Sequence, residues 1–254
     1  MYDDADLEDT DDRQFVVALA RGLRVLRAFS TAPGPLGNRE ICQQTRLSPS
    51  TVSRLTHTLT RLGYLQLARE QRRYILTPKI LTLGYPVLAG TTLLERARPI
   101  LRSLADRTGE TAALAVRDGT YMTFLDVAQG HNMLAVRLVA GARLPMAASA
   151  SGLALLAAMP IEERKSVAAR IRASITSRDG DVDQFNRLLA MALEEPVVVV
   201  RDAWTAGIGG VAVALTHGEE RASMVMPVAT DRVDEATMQG ELATALKEAA
   251  ARLQ

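Results

Sequence analysis

The sequence is poor in the residues that build disulfide frameworks, metal sites and nucleophilic dyads. Its 254 residues include one cysteine, three histidines and ten aromatic residues of the Phe, Trp and Tyr types. A single cysteine, Cys42, excludes an intramolecular disulfide framework. No run reaches the roughly 18 uncharged apolar residues of a membrane span, and the N-terminus is acidic where a secretory signal is basic. We therefore expect a cytoplasmic protein with no membrane association.

Charge is balanced overall but is distributed unevenly along the chain. Residues 1–12 hold seven carboxylates and no cation, and residues 13–82 hold twelve Lys and Arg against two Glu. The remainder holds 18 cations against 20 anions, so local balances of −7, +10 and −2 give the net charge of +1. The acidic stretch predicts a disordered tail, with competition for the basic block as the alternative role. A concentrated basic block is the electrostatic pattern of a nucleic-acid-binding module.

A candidate recognition helix lies between Ser48 and Tyr64. Ser48 is a favourable N-cap, Pro49 suits the first helical position, and Gly63 is predicted to cap the end. One apolar stripe at helical spacing is formed by Val52, Leu55, Leu59 and Leu62. The opposite face holds no acid, and all its side chains can donate hydrogen bonds: Ser50, Thr51, Ser53, Arg54, His57, Thr58 and Arg61. Such a helix suits the DNA major groove, with an ordinary solvated helix face as the alternative.

The neighbouring segments complete a winged helix-turn-helix pattern. Three helices are predicted over 14–29, 39–45 and 48–63, and the second is capped by Asn38 with Ile41 and Cys42 facing inward. A β-hairpin wing over 64–67 and 73–76 follows, and then a helix over 79–88. We therefore predict a tail over residues 1–13, a winged helix-turn-helix domain over 14–77, a linker helix over 78–92 and a second domain over 93–254.

Within the first domain, Arg54 is expected to contact a base edge, because arginine pairs bidentately with guanine. His57 is expected to face either base or phosphate, beside Ser53, and Arg72 and Arg73 on the wing are expected to lie over the neighbouring groove. Contacts that position the phosphate backbone are expected from Arg39, Ser50, Thr51, Thr58 and Arg61.

The second half alternates helices with extended segments. The predicted elements are a helix over 93–107, strands over 111–117, 120–127 and 133–139, a loop over 141–151, two or three helices between 152 and 195, strands over 197–200, 209–216 and 222–228, and a closing helix with Leu242, Leu246, Ala249 and Leu253 on one face. Helices on one side of a largely antiparallel sheet make an α+β domain.

This domain offers no catalytic or metal-binding set. It contains only His131 and His217 and no cysteine, so neither a Cys–His pair nor the usual N and S metal ligands are available. Ser149 and Ser151 stand in an Ala-Ser-Ala-Ser-Gly run, whereas a nucleophile elbow requires glycines on both sides of the serine. We therefore predict no cofactor, no metal and no enzymatic activity.

Small residues over 144–152 instead predict a ligand-binding loop. Small side chains let a ligand approach the backbone, and the helix predicted over 153–158 would offer N–H groups to a carboxylate or carbonyl. The predicted contacts are Leu144, Met146, Ala148, Ser149, Ala150, Ser151 and Gly152. A tight packing turn without a ligand is the alternative.

Several motifs resemble the IclR family of bacterial transcription regulators. They are FVVALARGLRVLRAF, LTRLGYL and RRYILTPKILTLGY in the first half, followed by ERARPILRSLADRTGETAALAVRDGTYMTFLDV and VRLVAGARLPMAASASGLALLAAM. The resemblance runs from about residue 14 to the C-terminus. It implies a GAF-like fold for the second domain and a small effector bound against the 144–152 loop. It also implies dimers that form through the winged helices and that are often paired into tetramers.

Continuing the family alignment implies further effector contacts at Val200, Gly210, Pro227 and Ala229. In the family's oxo-acid sensors the corresponding positions tend to be polar, whereas here all four are apolar or bare backbone. An apolar wall satisfies a small hydrated acid poorly. We therefore predict an aromatic or largely apolar organic effector whose carboxylate, if present, lies at the Ser149–Gly152 end.

Together these observations predict a transcription regulator that binds a pseudo-palindromic site on double-stranded DNA. We expect it to bind as a homodimer, with a dimer of dimers as an alternative, and we expect a small organic effector to modulate its binding to the operator. Two rivals are an enzyme with a GAF-like catalytic domain and an accessory DNA-binding domain, and an architectural DNA binder without a ligand. The operator sequence, the effector and the sign of regulation stay open.

Overall fold

The computed structural model describes residues 13–31, 34–68, 72–132, 136 and 138–253. The chain divides into two compact units at residues 89 and 90. The first unit contains α1 (Val17–Thr31), α2 (Asn38–Thr45), α3 (Pro49–Arg61), β1 (Leu65–Ala68), β2 (Arg73–Leu76) and α4 (Leu81–Ala89). The acidic segment over residues 1–12, predicted to be a tail, lies outside the described residues.

Local capping sets where the two central helices begin. Ser48 starts α3 as predicted, because its Oγ accepts the Thr51 N–H at 3.3 Å. For α2 the predicted cap was wrong by one residue: Asn38 is already helical, and Gly37 precedes the helix in an extended conformation. The Gly37 N–H donates to Glu40 Oε2 at 2.7 Å, so a side chain inside the helix satisfies the cap residue's backbone.

The end of α3 follows from a left-handed glycine. Gly63 ends the helix as predicted: it follows the last helical cap residue, Leu62, in the left-handed conformation at φ +80°. The Tyr64 N–H then donates to the Leu59 carbonyl at 2.9 Å, which is the hydrogen bond of a Schellman motif that spans more residues. This turn points Leu62 to solvent at 53% exposure, so its predicted place in the apolar stripe was wrong, and Thr56 is fully buried on that side instead.

Only part of the apolar surface of α1 faces the core of the first unit. The buried core consists of Val25, Ala28, Phe29, Leu36, Ile41, Val52, Leu59 and Leu65, and Cys42 packs against it as a small apolar side chain, as predicted. In contrast, Val16, Leu19 and Leu23 are exposed. The apolar side of α1 is thus wider than the core it covers.

A six-stranded antiparallel sheet organises the second unit. The elements are α5 (Thr92–Thr108), β3 (Ala112–Asp118), β4 (Tyr121–Ala128), β5 (Arg143–Pro145), α6 (Ala150–Ala158), α7 (Ile161–Thr176), α8 (Val182–Glu194), β6 (Val198–Arg201), β7 (Ile208–His217), β8 (Glu220–Ala229), α9 (Glu235–Thr237) and α10 (Ala243–Ala251). The strand order is β5-β4-β3-β8-β7-β6, and the longest pairing joins β7 to β8.

Helices cover both faces of this sheet, so the predicted arrangement with helices on one side was wrong. Helices α5 and α10 pack on one face, where Leu114 points, and α6, α7 and α8 pack on the other, where Ala113 and Ala115 point. The physical reason is that β3 is apolar at consecutive positions, so both of its faces require cover. The α+β class itself is confirmed.

Two further sequence predictions change in the second unit. The loop predicted over 141–151 contains β5, and α6 begins at Ala150 instead of Leu153. The extended segment predicted over 133–139 includes residues 133–135 and 137, which lie outside the described residues. Within the described part of the chain, no helix has both the length and the apolar character needed to cross a bilayer.

The turn between β7 and β8 caps the first helix of the second unit. The Glu220 carboxylate accepts the N–H groups of Leu93 at 2.9 Å and Thr92 at 3.0 Å. The Leu93 N–H contributes most to lowering the pKa of Glu220, against a smaller opposing effect of burial. A carboxylate at this end also complements the helix dipole.

Candidate nucleic-acid interface and ligand pocket

The outer face of α3 is exposed along its whole length. Thr51 is half-buried, and the other predicted DNA contacts of this helix are exposed: Ser50, Ser53, Arg54, His57, Thr58 and Arg61. Within the described part of the chain, no side chain pairs with the guanidinium groups of Arg54, Arg61 or the exposed Arg39 of α2. These cations therefore face solvent with their hydrogen-bond donors available.

Hydroxyl groups cluster around the start of α3. Ser48 Oγ lies 3.1 Å from Ser50 Oγ and 2.9 Å from Thr51 Oγ1. Farther along, the Thr58 hydroxyl donates to the Arg54 carbonyl at 3.0 Å. Because hydroxyls rotate easily, the cluster at the helix N-terminus can redirect protons toward an incoming phosphate.

The two wing arginines differ in their surroundings. Arg72 is exposed at φ +50°, in the turn before β2. Arg73 instead donates to Glu40 Oε1 at 2.6 Å and to the Pro35 carbonyl at 2.7 Å. The hydrogen bond from Gly37 N–H, followed by that from Arg73, lowers the pKa of Glu40. The structure thus ties Arg73 to Glu40 and to the backbone at Pro35 while its side chain stays 40% exposed, and its contact with the neighbouring DNA groove stays a prediction.

A largely apolar pocket opens in the second unit between the start of α6 and the strands β6 to β8. It encloses about 530 Å³ of empty space, part of it open to solvent. The cavity volume that compares with the ~300–1,000 Å³ of common small-molecule sites is about 60 Å³, so most of this space is shallow or open. Eight of the predicted effector contacts line it: Leu144, Ala148, Ser149, Ala150, Ser151, Val200, Gly210 and Pro227.

Three predicted effector contacts do not line the pocket. Met146 is completely buried in the core. Gly152 faces that residue, because a Cβ built on Gly152 would lie 2.3 Å from Met146 Cα. Ala229 is two residues beyond Pro227 on β8, about 7 Å farther along the strand. Met146 and Gly152 therefore hold the turn together, and only its other residues face the pocket.

The remaining lining residues were missed by the sequence prediction. They are Phe124, Val136, Leu138, Trp204, Ile208, Gly209 and Val225. Period-two alternation links Val225 to Pro227 on β8, and this signal was available in the sequence. Phe124 and Trp204 come from segments far apart in the sequence, and only the folded sheet brings them together.

Polar atoms in the pocket are few and concentrated at the start of α6. Ser149 Oγ donates to the Pro145 carbonyl at 2.8 Å and accepts the Gly152 N–H at 3.2 Å, so it caps the helix. The amides of Ala150 and Ser151 belong to the first helical turn, which lacks acceptors within the helix. Among the described residues, no cluster of His, Cys, Asp and Glu side chains is suited to a metal ion.

An apolar groove lies in the first unit beside α1. Its lining includes Leu19 and Leu23 of α1, Leu76 of β2 and Leu83 of α4. Leu19 is 63% exposed and the neighbouring Leu81 is 71% exposed. An apolar surface of this kind on a small unit marks an interaction site.

Comparison with known proteins covers both units. Residues 18–68 match the IclR helix-turn-helix domain, and residues 86–254 match the domain described as "Bacterial transcriptional regulator IclR C-terminal". The HTH-type transcriptional regulator TsaQ1/TsaQ2 of Comamonas testosteroni is 35% identical over 175 residues, which are 68% of this chain and 62% of that protein. The match therefore spans less than two thirds of that relative's length.

Solved structures show the same fold over nearly the whole chain. An IclR family transcriptional regulator from Brucella abortus superposes with a TM-score of 0.72 and 35% identity, covering 96% of this chain and 93% of that one. An IclR homolog from Microbacterium hydrocarbonoxydans, complexed with 4-hydroxybenzoate, gives a TM-score of 0.69 and 25% identity, covering 93% and 97%. The two domain matches and these structures agree, and the chain belongs to the IclR family of bacterial transcriptional regulators.

Proposed function

We propose that this protein is a sequence-specific DNA-binding transcription regulator that places α3 in the major groove. The observation that carries the proposal is the exposed, acid-free face of α3, where the guanidinium groups of Arg54 and Arg61 have no side-chain partner among the described residues. Arg54 lies at the middle of the helix, where a long side chain would reach the edges of the bases. Arg61 lies at the end of the helix, where it would contact the phosphate backbone of the DNA. Arg72 extends the basic surface to the wing.

We propose that two copies bind together through the apolar groove beside α1. One recognition helix reads few base pairs, and a symmetric pair reads two half-sites about 34–36 Å apart. A two-fold interface is self-complementary, so the exposed Leu19 and Leu81 of one copy would be covered by the same surface of the other. This pairing would remove two of the most exposed leucines of the first unit from water.

We propose that the pocket of the second unit binds a small organic acid with an aromatic or largely apolar body. Its walls are apolar, and its polar groups, the Ser149 and Ser151 hydroxyls and the first-turn amides of α6, lie together at the start of that helix. The two ends therefore suit the two parts of an aromatic carboxylate. The 4-hydroxybenzoate complex of the Microbacterium relative supports this class of ligand.

The DNA-binding proposal is tested by matched arginine variants. Arg54→Ala is expected to lose discrimination of about 1–3 kcal/mol at one base pair of the operator. Arg61→Ala is expected to weaken specific and random DNA alike and to reduce the salt slope by about one unit. Arg102→Ala, at an exposed position of α5 in the second unit, makes the same charge change outside the winged helix-turn-helix unit and serves as the control.

Fluorescence anisotropy on operator and random duplexes over a salt series gives all these quantities. Equal losses on both duplexes for Arg54→Ala contradict its base contact. An unchanged salt slope for Arg61→Ala, or an effect of Arg102→Ala as large as that of either variant, contradicts the proposed surface. Footprinting with and without 4-hydroxybenzoate then tests whether an aromatic acid modulates the complex.

A further inference from the structure

The connection between β6 and β7 is a short loop with a fixed backbone, residues 202–207. Asp202 Oδ1 accepts the Gly207 N–H at 2.7 Å and the Thr230 hydroxyl at 2.8 Å. The Asp202 N–H also donates to the Ile208 carbonyl at 3.0 Å. These bonds close the loop at its base and attach it to the end of β8.

The loop ends are further restricted by backbone conformation. Asp202 has φ +54° and Gly207 has φ +82°, so the chain enters and leaves the loop in the left-handed region. The Thr230 N–H donates to the Gly207 carbonyl at 3.0 Å, which fixes the second end. A non-glycine residue adopts a left-handed conformation only where local bonds compensate, as the Asp202 carboxylate does here.

Trp204 stands in the middle of this fixed loop, at the rim of the ligand pocket. It is the chain's single tryptophan and is 49% exposed. Its indole lines the same cavity as Phe124, Leu138 and the residues at the start of α6. A large aromatic side chain held half in water by a rigid backbone is positioned to cover a flat ring without a preceding ordering of the loop.

We infer that Trp204 is the residue that selects planar, ring-bearing ligands in this pocket, by stacking on the ring while the amides of α6 hold the carboxylate. The inference rests on the proposed effector function and assigns its specificity to one side chain. Aliphatic walls contact flat and puckered rings equally well, whereas an indole face prefers a flat partner in an offset or edge-to-face arrangement. Trp204 and the buried Phe124 are the two aromatic residues of the lining, so Trp204 adds, from the exposed rim, discrimination that the aliphatic walls cannot provide.

A matched pair of probes tests this role. Benzoate and cyclohexanecarboxylate carry the same charge and the same number of carbons and differ in ring planarity. Isothermal titration of the full chain with each probe measures affinity, and the quenching of Trp204 fluorescence reports occupancy at the rim. Trp204→Leu keeps an apolar side chain and removes the aromatic face, and Thr205→Ala alters the same loop at an exposed position outside the lining.

We expect Trp204→Leu to weaken benzoate binding about 10-fold, which corresponds to about 1.4 kcal/mol, and to change cyclohexanecarboxylate binding by less than about threefold. Thr205→Ala is expected to leave both affinities unchanged. Wild-type affinity of Trp204→Leu for benzoate, or an equal loss for both probes, overturns the inference and leaves the proposed effector class standing. Absence of binding of both probes to the wild-type chain overturns the effector proposal and the inference with it.

Discussion

A single added methyl group is expected to have opposite consequences at the two glycines of the predicted effector site. In Gly152→Ala, the new Cβ would lie 2.3 Å from Met146 Cα and 2.6 Å from Met146 O. Both are backbone atoms, so no side-chain rotation relieves the contact. Reaching an ordinary carbon separation of about 3.5 Å requires the turn and α6 to separate by about 1 Å.

The cost of this displacement exceeds the helical gain from alanine. Overpacking of a close-packed site costs typically 1–3 kcal/mol and occasionally more, and a contact this short with backbone belongs at or above the upper end. Replacing glycine in a helix returns about 1 kcal/mol. A net loss of about 2 kcal/mol lowers the unfolding temperature of a domain of this size by about 4–8 °C.

Gly210→Ala is the matched control, because its new methyl group has room. The nearest atom is Ala150 Cβ at 3.4 Å, and the next contacts are at 3.7 Å. We expect the stability to change by less than about 0.5 kcal/mol. The methyl group would occupy the pocket floor, so the affinity for benzoate or 4-hydroxybenzoate should fall about 10-fold or more.

Differential scanning calorimetry and isothermal titration of the two variants separate these effects. A Gly152→Ala variant that unfolds at the wild-type temperature would falsify the packing argument at Met146. A Gly210→Ala variant that binds the aromatic acids as tightly as the wild type would show that they bind elsewhere. Comparable destabilisation of both variants would contradict the distinction between the two glycines.

Three further predictions concern charge and assembly. Glu220 has a lowered folded pKa, so its stabilisation is complete above the ordinary value of 4.5 and is lost as pH falls through the folded value. In thermal unfolding, Glu220→Gln should cost about 1 kcal/mol at pH 7, and this cost should decrease as the pH is lowered below 4.5. Arg73→Ala should lower the unfolding temperature of the first unit, because the Glu40 ion pair and the Pro35 contact are lost; an unchanged temperature would show that these two contacts do not stabilise the unit. Leu19→Asp should yield monomers in analytical ultracentrifugation, and Met191→Asp, an exposed apolar change in the second unit, should not.

Most of the secondary structure of the first unit could be predicted from the sequence, because it depends on interactions between residues that are close together in the chain. The cap at Ser48, the leucine spacing and the glycine after α3 each act within a few residues, and short-range hydrogen bonds express them directly. Two predictions were wrong at the ends of helices. Leu62 is the cap residue of α3 and does not continue its buried stripe, and the cap of α2 is Gly37 instead of Asn38. The exposed, acid-free face of α3 follows from periodicity alone.

Tertiary structure decided which side chains share a site. Local spacing placed Met146, Gly152 and Ser149 in one loop, and only the packing of α6 on the sheet turned the first two inward and left Ser149 at the pocket. Arg73 pairs with Glu40 across 33 residues, a contact that charge counting along the chain does not reveal. The sequence by itself determined the two units and the amphipathic helix α3, since these depend on composition and short periods, and the resemblance to the family implied the apolar wall of the pocket. The pocket's outline and Trp204 at its rim depend on strand pairing between distant segments, and that pairing exists only in the folded sheet.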